Sequence, residues 1–237
     1  MFEANVRGTE RVLDAAIDAG VARIIYVSTI GAFGNTHGEV VDETYTRPAG
    51  GPFLSAYDET KFLAHRAAEE RIARGAPILI AKPGGVYGPG DTSELANFIR
   101  MIRAGRLKFL TFPGLGFNFL HVDDCVEGIL SIHDRGRIGE SYVLGGQLTT
   151  MGEAIRTVAA IVGRKPPMFT MPTPLIKISI PMAPLVTRAM GLPPNLRELI
   201  RSADGVTYWA TDAKARRELG YAPRDLETGL LQTLGTG

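Results

Sequence analysis

Cysteine is almost missing from this sequence: Cys125 is the one thiol among 237 residues. A lone thiol excludes a disulfide framework, fits a reducing cytoplasm and is read as a small buried hydrophobe. Histidine is scarce too. His37, His65, His121 and His133 show no metal-ligand spacing and no Cys-His cluster, so no metal is expected. An excess of one charge is also absent: 26 Lys and Arg stand against 25 Asp and Glu, net +1. That balance offers nucleic acid no basic surface and contains no acidic tail. Long apolar runs are lacking as well. Leu175 to Leu192 is broken by Lys177, Pro181, Pro184 and Arg188, so no membrane span or membrane contact is expected. Met1 to Gly20 carries Glu3, Arg7, Glu10 and Arg11 and does not read as a signal peptide; a cytoplasmic protein is expected.

What is present is an ordinary globular composition, 45% hydrophobic and 22% charged, with helical and strand patterns in alternation. The period of Asn5 to Ala19 predicts a helix with Val6, Leu13, Ala15, Ala16 and Ile17 inside, stopped by Gly20. Val21 to Thr29 predicts a strand whose core, Ile24-Ile25-Tyr26-Val27, lacks polar alternation and should be covered on both faces. A loop over Gly31 to Gly51 precedes a helix over Ser55 to Gly75. A buried strand at Pro77 to Ala81 leads into Lys82 to Gly90, too rich in proline and glycine for helix or central strand. Beyond Thr92, helices are predicted at Leu95 to Ala104, Met151 to Val162, Asp212 to Leu219 and Leu226 to Leu234. Strands are predicted at Leu107 to Phe112, Phe117 to Val122 and Ser141 to Leu144. Asp123 and Asp124 read as a helix amino-cap pair, and the cap of the Met151 helix falls on Thr150. The proline-dense stretch from Pro166 to Pro194 reads as broken helix and loop, and Met168 to Met190 as a segment packed on the lobe or an amphipathic lid. The fold class is α/β. The alternation assigns residues 1–91 to a parallel-sheet domain and residues 92–237 mainly to a smaller lobe whose Ser141 strand returns to the sheet.

The chemistry concentrates in two stretches. Ile24 to Thr29 ends a strand in hydroxyls, and Tyr57-Asp58-Glu59-Thr60-Lys61 opens a helix. Spacing of four places the Tyr57 phenol and the Lys61 ammonium on one face. A phenol titrates near ~10, and a neighbouring cation favours its ionised form. Moving it by about three units takes on the order of 4 kcal/mol, within reach of one close ammonium and a second positive charge. Tyr-x-x-x-Lys also recurs as an ordinary surface pair; the strand-end Ser28 and Thr29 are what give it meaning here.

Asn5-Val6-Arg7-Gly8-Thr9, Tyr26-Val27-Ser28-Thr29, Tyr57-x-x-x-Lys61, Pro83 to Gly90 and Phe119 to Asp124 follow one another in a known order. Together they resemble the extended short-chain dehydrogenases/reductases of the NAD(P)-dependent epimerase/dehydratase type. Gly116 to Asp124 with Gly139 to Gly146 is most similar to dihydroflavonol 4-reductase-like and hopanoid-associated sugar-epimerase-like members. The resemblance implies NAD or NADP as cofactor, a small-molecule substrate and a homodimer as an accessible assembly. It implies Thr29, with Ser28 adjacent, as the hydroxyl orienting a substrate oxygen, and Tyr57 as general acid/base. Lys61 would hold the nicotinamide ribose, Asn5 would lie near the site, and Pro83, Gly84, Gly85 and Val86 would pass the carboxamide. Phe117, Asn118 and His121 are the substrate-side candidates; His121 reads more readily as a satisfied structural histidine, and Phe109, Phe112, Phe117 and Phe119 as core. Phe117 stands where nucleotide-sugar enzymes carry an arginine, which favours a less charged substrate. Lys82, at a position where arginine is commoner, reads as a strand-end charge without chemical consequence.

One departure matters. The glycine-rich strand-turn-helix that would cradle a pyrophosphate, and the residue that selects NAD or NADP, do not occur in this sequence. Roughly 80 residues of the expected βαβαβ half are absent by that comparison, so the sequence reads as part of a longer enzyme. The alternatives are a dinucleotide-sensing module without catalysis and an inert fragment.

Overall fold

A computed structural model describes residues 1–48, 50–178 and 196–235. At its centre a parallel sheet runs β1 (Ile24–Val27), β2 (Ile78–Pro83), β6 (Ser141–Leu144), in that order. Ile78, Leu79, Ile80 and Ala81 of β2 are fully buried, as an uninterrupted apolar run requires. Leu79, Ala81, Tyr142 and Leu144 pack against α4 (Val122–Arg135) and α8 (Ala213–Leu219) through Cys125, Ile132, Ala215 and Leu219. On the other face Ile24, Ile78 and Ile80 meet Leu13 of α1 (Gly8–Asp18) and Ala68 of α2 (Ala56–Ala73).

The helix expected from Asn5 begins as a π-helical turn, Glu3–Arg7, before α1; Val6 and Leu13 are buried, but Ala15 is exposed. β1 is four residues long and only partly covered, with Val27 45% exposed, and among the described residues it pairs with β2 alone.

The segment after β2 is not the pure loop its prolines and glycines suggest. β3 (Gly85–Tyr87) pairs in parallel with β5 (Gly116–His121), which pairs antiparallel with β7 (Gln147–Thr150). Close approach explains the glycine before β3: a Cβ on Gly84 would strike the Asn118 carbonyl and sit 2.9 Å from the Asn118 Cβ. β7, short and polar, escapes the periodicity. It ends at Thr150, which caps α5 (Met151–Ile161) in a reciprocal box with Glu153. α3 (Glu94–Arg103), α5 and α9 (Leu226–Gly235) enclose a second core around Tyr87, Phe119, Ile155 and Leu230.

Of the strand expected at Leu107 to Phe112, only β4 (Phe109–Leu110) forms, paired with β8 (Phe169–Thr170). Phe112 then turns at φ +49 and packs with Ile176 of α6 (Thr173–Ile178) and Ile200 of α7 (Leu196–Ala203). Within the expected lid, Met168 and Phe169 are largely exposed; residues 179–190 lie outside the described residues, as do 191–194 of the proline-dense stretch. The cap of α4 is His121, whose Nδ1 accepts the Asp123 N–H at 3.3 Å. Asp123 and Asp124 sit in the first turn instead, and Asp124 accepts from the Arg224 guanidinium and its backbone N–H.

Candidate active site

Tyr57 lies in the first turn of α2, and that turn is pinned by a buried cluster. Ser55 accepts the Asp58 N–H at 3.0 Å, and Asp58 accepts from Arg47 Nη1 at 2.8 and 2.9 Å and from the Leu54 N–H. The Arg47 guanidinium rests on the Phe53 ring at 4.5 Å, with Phe62 at 5.8 Å. Gly34, at φ +75, makes room for it; a Cβ there would stand 2.9 Å from Arg47 Nη1. From the opposite side the Asn5 amide donates to Thr60 Oγ1, which donates to the Tyr57 carbonyl. The Asn5 side chain thus holds the catalytic-helix candidate in place from the π-helical turn.

The backbone of Tyr57 is fixed while its ring stays 49% exposed. Lys61 Nζ lies 5.7 Å from the ring centroid, and among the described residues no carboxylate pairs with it. Burial pushes the Tyr57 phenol above its ordinary value. The lowering that spacing alone suggested is therefore absent in the protein by itself; the ammonium does not offset the burial.

The two strand-end hydroxyls are placed differently. Ser28 is buried, and its Oγ lies 3.1 Å from His65 Nδ1. Thr29 is half-buried; its Oγ1 accepts the Gly31 N–H at 3.1 Å and caps the 3-10 turn Ile30–Phe33, against which α2 packs. Accepting through oxygen leaves the Thr29 O–H free to donate.

Pro83 closes β2, and the Gly84 N–H donates to the Leu144 carbonyl at 3.0 Å. Val86 is 38% exposed, and Phe117 packs beside Gly85. The Phe117 ring stacks on Tyr208 at 5.3 Å and 14°, and meets Phe119 edge-on at 5.9 Å. Asn118 and His121 are interior. The Asn118 amide donates to the Ala210 carbonyl and accepts its N–H. His121 packs edge-on against Tyr87, with Nε2 lacking a partner among the described residues. Of the three substrate-side candidates, only Phe117 adjoins the Pro83–Val86 segment with part of its ring accessible.

Lys82 is almost fully buried at the end of β2, its Nζ 4.5 Å from the Phe33 ring, and burial pushes it down to about 8. The strand-end lysine read from the sequence is thus a buried one. Also missed from sequence were Arg47, Asp58, Tyr208 and the His65–Glu69 pair; only the last leaves a trace there, as a four-residue spacing on α2. Among the described residues no three His, Cys, Asp or Glu side chains gather as a metal site.

Residues 1–145 match the NAD dependent epimerase/dehydratase family. A putative dihydroflavonol 4-reductase of Synechocystis sp. is 26% identical over 240 residues, covering 97% of this chain and 68% of that protein. A farnesyl-dihydroquinoline-oxide ketoreductase of Stigmatella aurantiaca is 30% identical over 226 residues, covering 93% and 67%. The crystal structure of gox2253 superposes with a TM-score of 0.82 at 30% identity, over 99% of this chain and 72% of that one. The chain spans about two thirds of the length of the curated relatives it matches, 63% to 68% for the first four. With its parallel Rossmann-like sheet and this match over more than half its length, the chain belongs to the NAD dependent epimerase/dehydratase family.

Proposed function

We propose that the chain carries the catalytic part of an NAD(P)-dependent oxidoreductase acting at a carbinol or carbonyl carbon. The observation that carries this reading is the half-exposed Tyr57 beside a Lys61 ammonium that no carboxylate among the described residues pairs, on a helix packed against the turn that Thr29 caps. The fit to the cofactor is partial. An ammonium with no carboxylate partner among the described residues, and a Pro83–Val86 segment with Val86 exposed, suit the nicotinamide-riboside end. No glycine-rich strand-to-helix turn for a pyrophosphate occurs in the sequence.

When bound, the nicotinamide supplies or accepts the hydride. Thr29 donates its O–H to the substrate oxygen and holds it in line. Tyr57 transfers the proton of that oxygen: as an acid during reduction, as a base during oxidation. Burial pushes the phenol further up, which favours its acid role in reduction. The base form requires added positive charge close by, which Lys61 supplies in part.

For the substrate, the Phe117–Tyr208 stack beside Gly85 favours an apolar or aromatic alcohol or ketone, flavonoid-like or lipid-like, over a nucleotide sugar. Sugar-like substrates are the less favoured class, since an aromatic ring replaces a diphosphate-gripping arginine. Tyr57→Phe in the full chain is expected to lower turnover by ~10²–10⁴-fold across an alcohol and ketone panel while leaving cofactor binding intact. Retained turnover in that variant would remove Tyr57 from the chemistry.

A further inference from the structure

A buried polar chain runs beneath the candidate site and takes no part in the chemistry above. Ser28 Oγ lies 3.1 Å from His65 Nδ1, and His65 Nε2 lies 3.2 Å from Glu69 Oε1. Ser28 and His65 are 5% and 6% exposed, whereas the Glu69 side chain is 37% exposed and reaches solvent. Glu69, a carboxylate, can only accept, so Nε2 carries the hydrogen of a neutral His65. Nδ1 is then an acceptor, and the Ser28 hydroxyl must donate to it. Ser28 is thereby committed inward, away from the face on which Thr29 keeps a free O–H.

We propose, on the basis of the function proposed above, that His65 is a positioning residue for the hydroxyl pair at the end of β1. Its Nδ1 holds Ser28 inward, so that Thr29 is the hydroxyl presented to the site, and the arrangement is coupled to protonation of the His65–Glu69 pair. A second proton on Nδ1 removes the acceptor. Ser28 must then turn its hydrogen away and accept from the imidazolium, which disturbs the strand end one residue from Thr29.

The groups facing this histidine act in both directions. On α2, Glu69 favours the cation and Arg66 opposes it; from β2, Lys82 opposes it. On β1, burial pushes the Tyr26 phenol up, with Thr9 of α1 and Ser28 acting against that. Glu43 faces Lys82 and favours its charge, while Lys214 of α8 opposes it. Burial is the largest influence and keeps His65 neutral at pH 7.

The test is long-range ¹H–¹⁵N NMR of the full chain, following the His65 imidazole and the Gly31 amide, whose N–H bonds Thr29 Oγ1. The expected result is a protonated Nε2 and a bare Nδ1 at neutral pH, with a titration below the ordinary histidine value. Ser28→Ala should move the Nδ1 resonance and leave His133 in place. The Gly31 amide should shift with the His65 midpoint in the native chain and not in His65→Gln, which retains an acceptor that does not titrate. In turnover, His65→Gln should lose the acid limb of the pH profile, while His65→Leu should fall by ~10–100-fold through misplacement of the oxygen-orienting group. A hydrogen on Nδ1 at neutral pH, an indifferent Ser28→Ala, or a Gly31 amide blind to His65 overturns the proposal. Unchanged turnover in Tyr57→Phe alongside the expected NMR results would defeat the catalytic reading and leave the His65 coupling standing.

Discussion

Asp58 and Lys82 represent two ways of burying charge, with opposite consequences. Asp58 is 4% exposed but meets Arg47, the Ser55-capped turn and the Leu54 N–H, so its carboxylate is fully engaged. Asp58→Ala would leave the Arg47 guanidinium buried without its partner, and breaking such a pair costs about 3–5 kcal/mol. Urea unfolding should show that loss, together with a less ordered Tyr57 turn. Lys82, 2% exposed, has an aromatic face for company and no ion pair among the described residues. Its downward displacement to about 8 from an ordinary value near 10.5 means that its charge opposes folding below pH 8. Stability should therefore rise as pH climbs from 8 towards 10.5. Lys82→Met should raise the melting temperature at pH 7, by a gain on the order of 2 kcal/mol, and the advantage should fade above pH 10. An undiminished difference at high pH would show that the gain comes from packing and not from charge.

Among elements, β2 and the β3–β5 pair set the geometry around Pro83–Val86. β2 is specified by its own sequence: five consecutive apolar residues from Pro77 can be buried on both sides only between two layers of helix. β3 is specified by its partner. Gly84 and Gly85 let the chain leave β2 and run against β5, with Phe117 over Gly85 and the Asn118 carbonyl against Gly84. Gly84→Ala forces backbone apart and should destabilise the protein by about 1–3 kcal/mol, the usual range for overpacking. Since the strain falls beside Val86, cofactor affinity should drop along with stability. Calorimetric unfolding combined with a fluorescence titration of NADH would read both. β7 and the π-helical turn were illegible because three or four polar residues, or a five-residue turn, carry no period of their own. The cap of α4 was misassigned for a related reason: both His121 and Asp123 can accept an N–H, and the chain direction out of β5 decides between them.

For the whole molecule, charge sets the pH range of stability. His65 lies below its ordinary value because of burial, so its contribution is intact above ~6.5 and lost as pH falls towards its folded value. Glu69 is drawn down to about 2, chiefly by its hydrogen bond to His65, and its contribution is present above ~4.3 and lost as pH falls through the folded value. Asp42 and Glu153, bonded to threonine hydroxyls and backbone N–H groups, act in the same direction. The melting temperature should thus be level near neutrality, fall gently below ~6.5 and fall steeply below ~4. Thermal unfolding across that range checks it, and His65→Gln should remove the gentle part and, by altering the partner of Glu69, reduce the steep part as well.

The sequence by itself determined the α/β class, the course of the central strands and the face shared by Tyr57 and Lys61. Each depends on residues close together in the chain, where apolar period and helical spacing operate directly. Only the tertiary structure decided which strand-end hydroxyl is free, because the acceptor for Ser28 lies 37 residues away on α2. It likewise decided that Lys82 is buried, that Asn118 serves the Ala210 backbone, and that Arg47 braces the turn carrying Tyr57. Hydrogen-bond partners and desolvation are set by neighbours in space, and no local pattern in the chain records them.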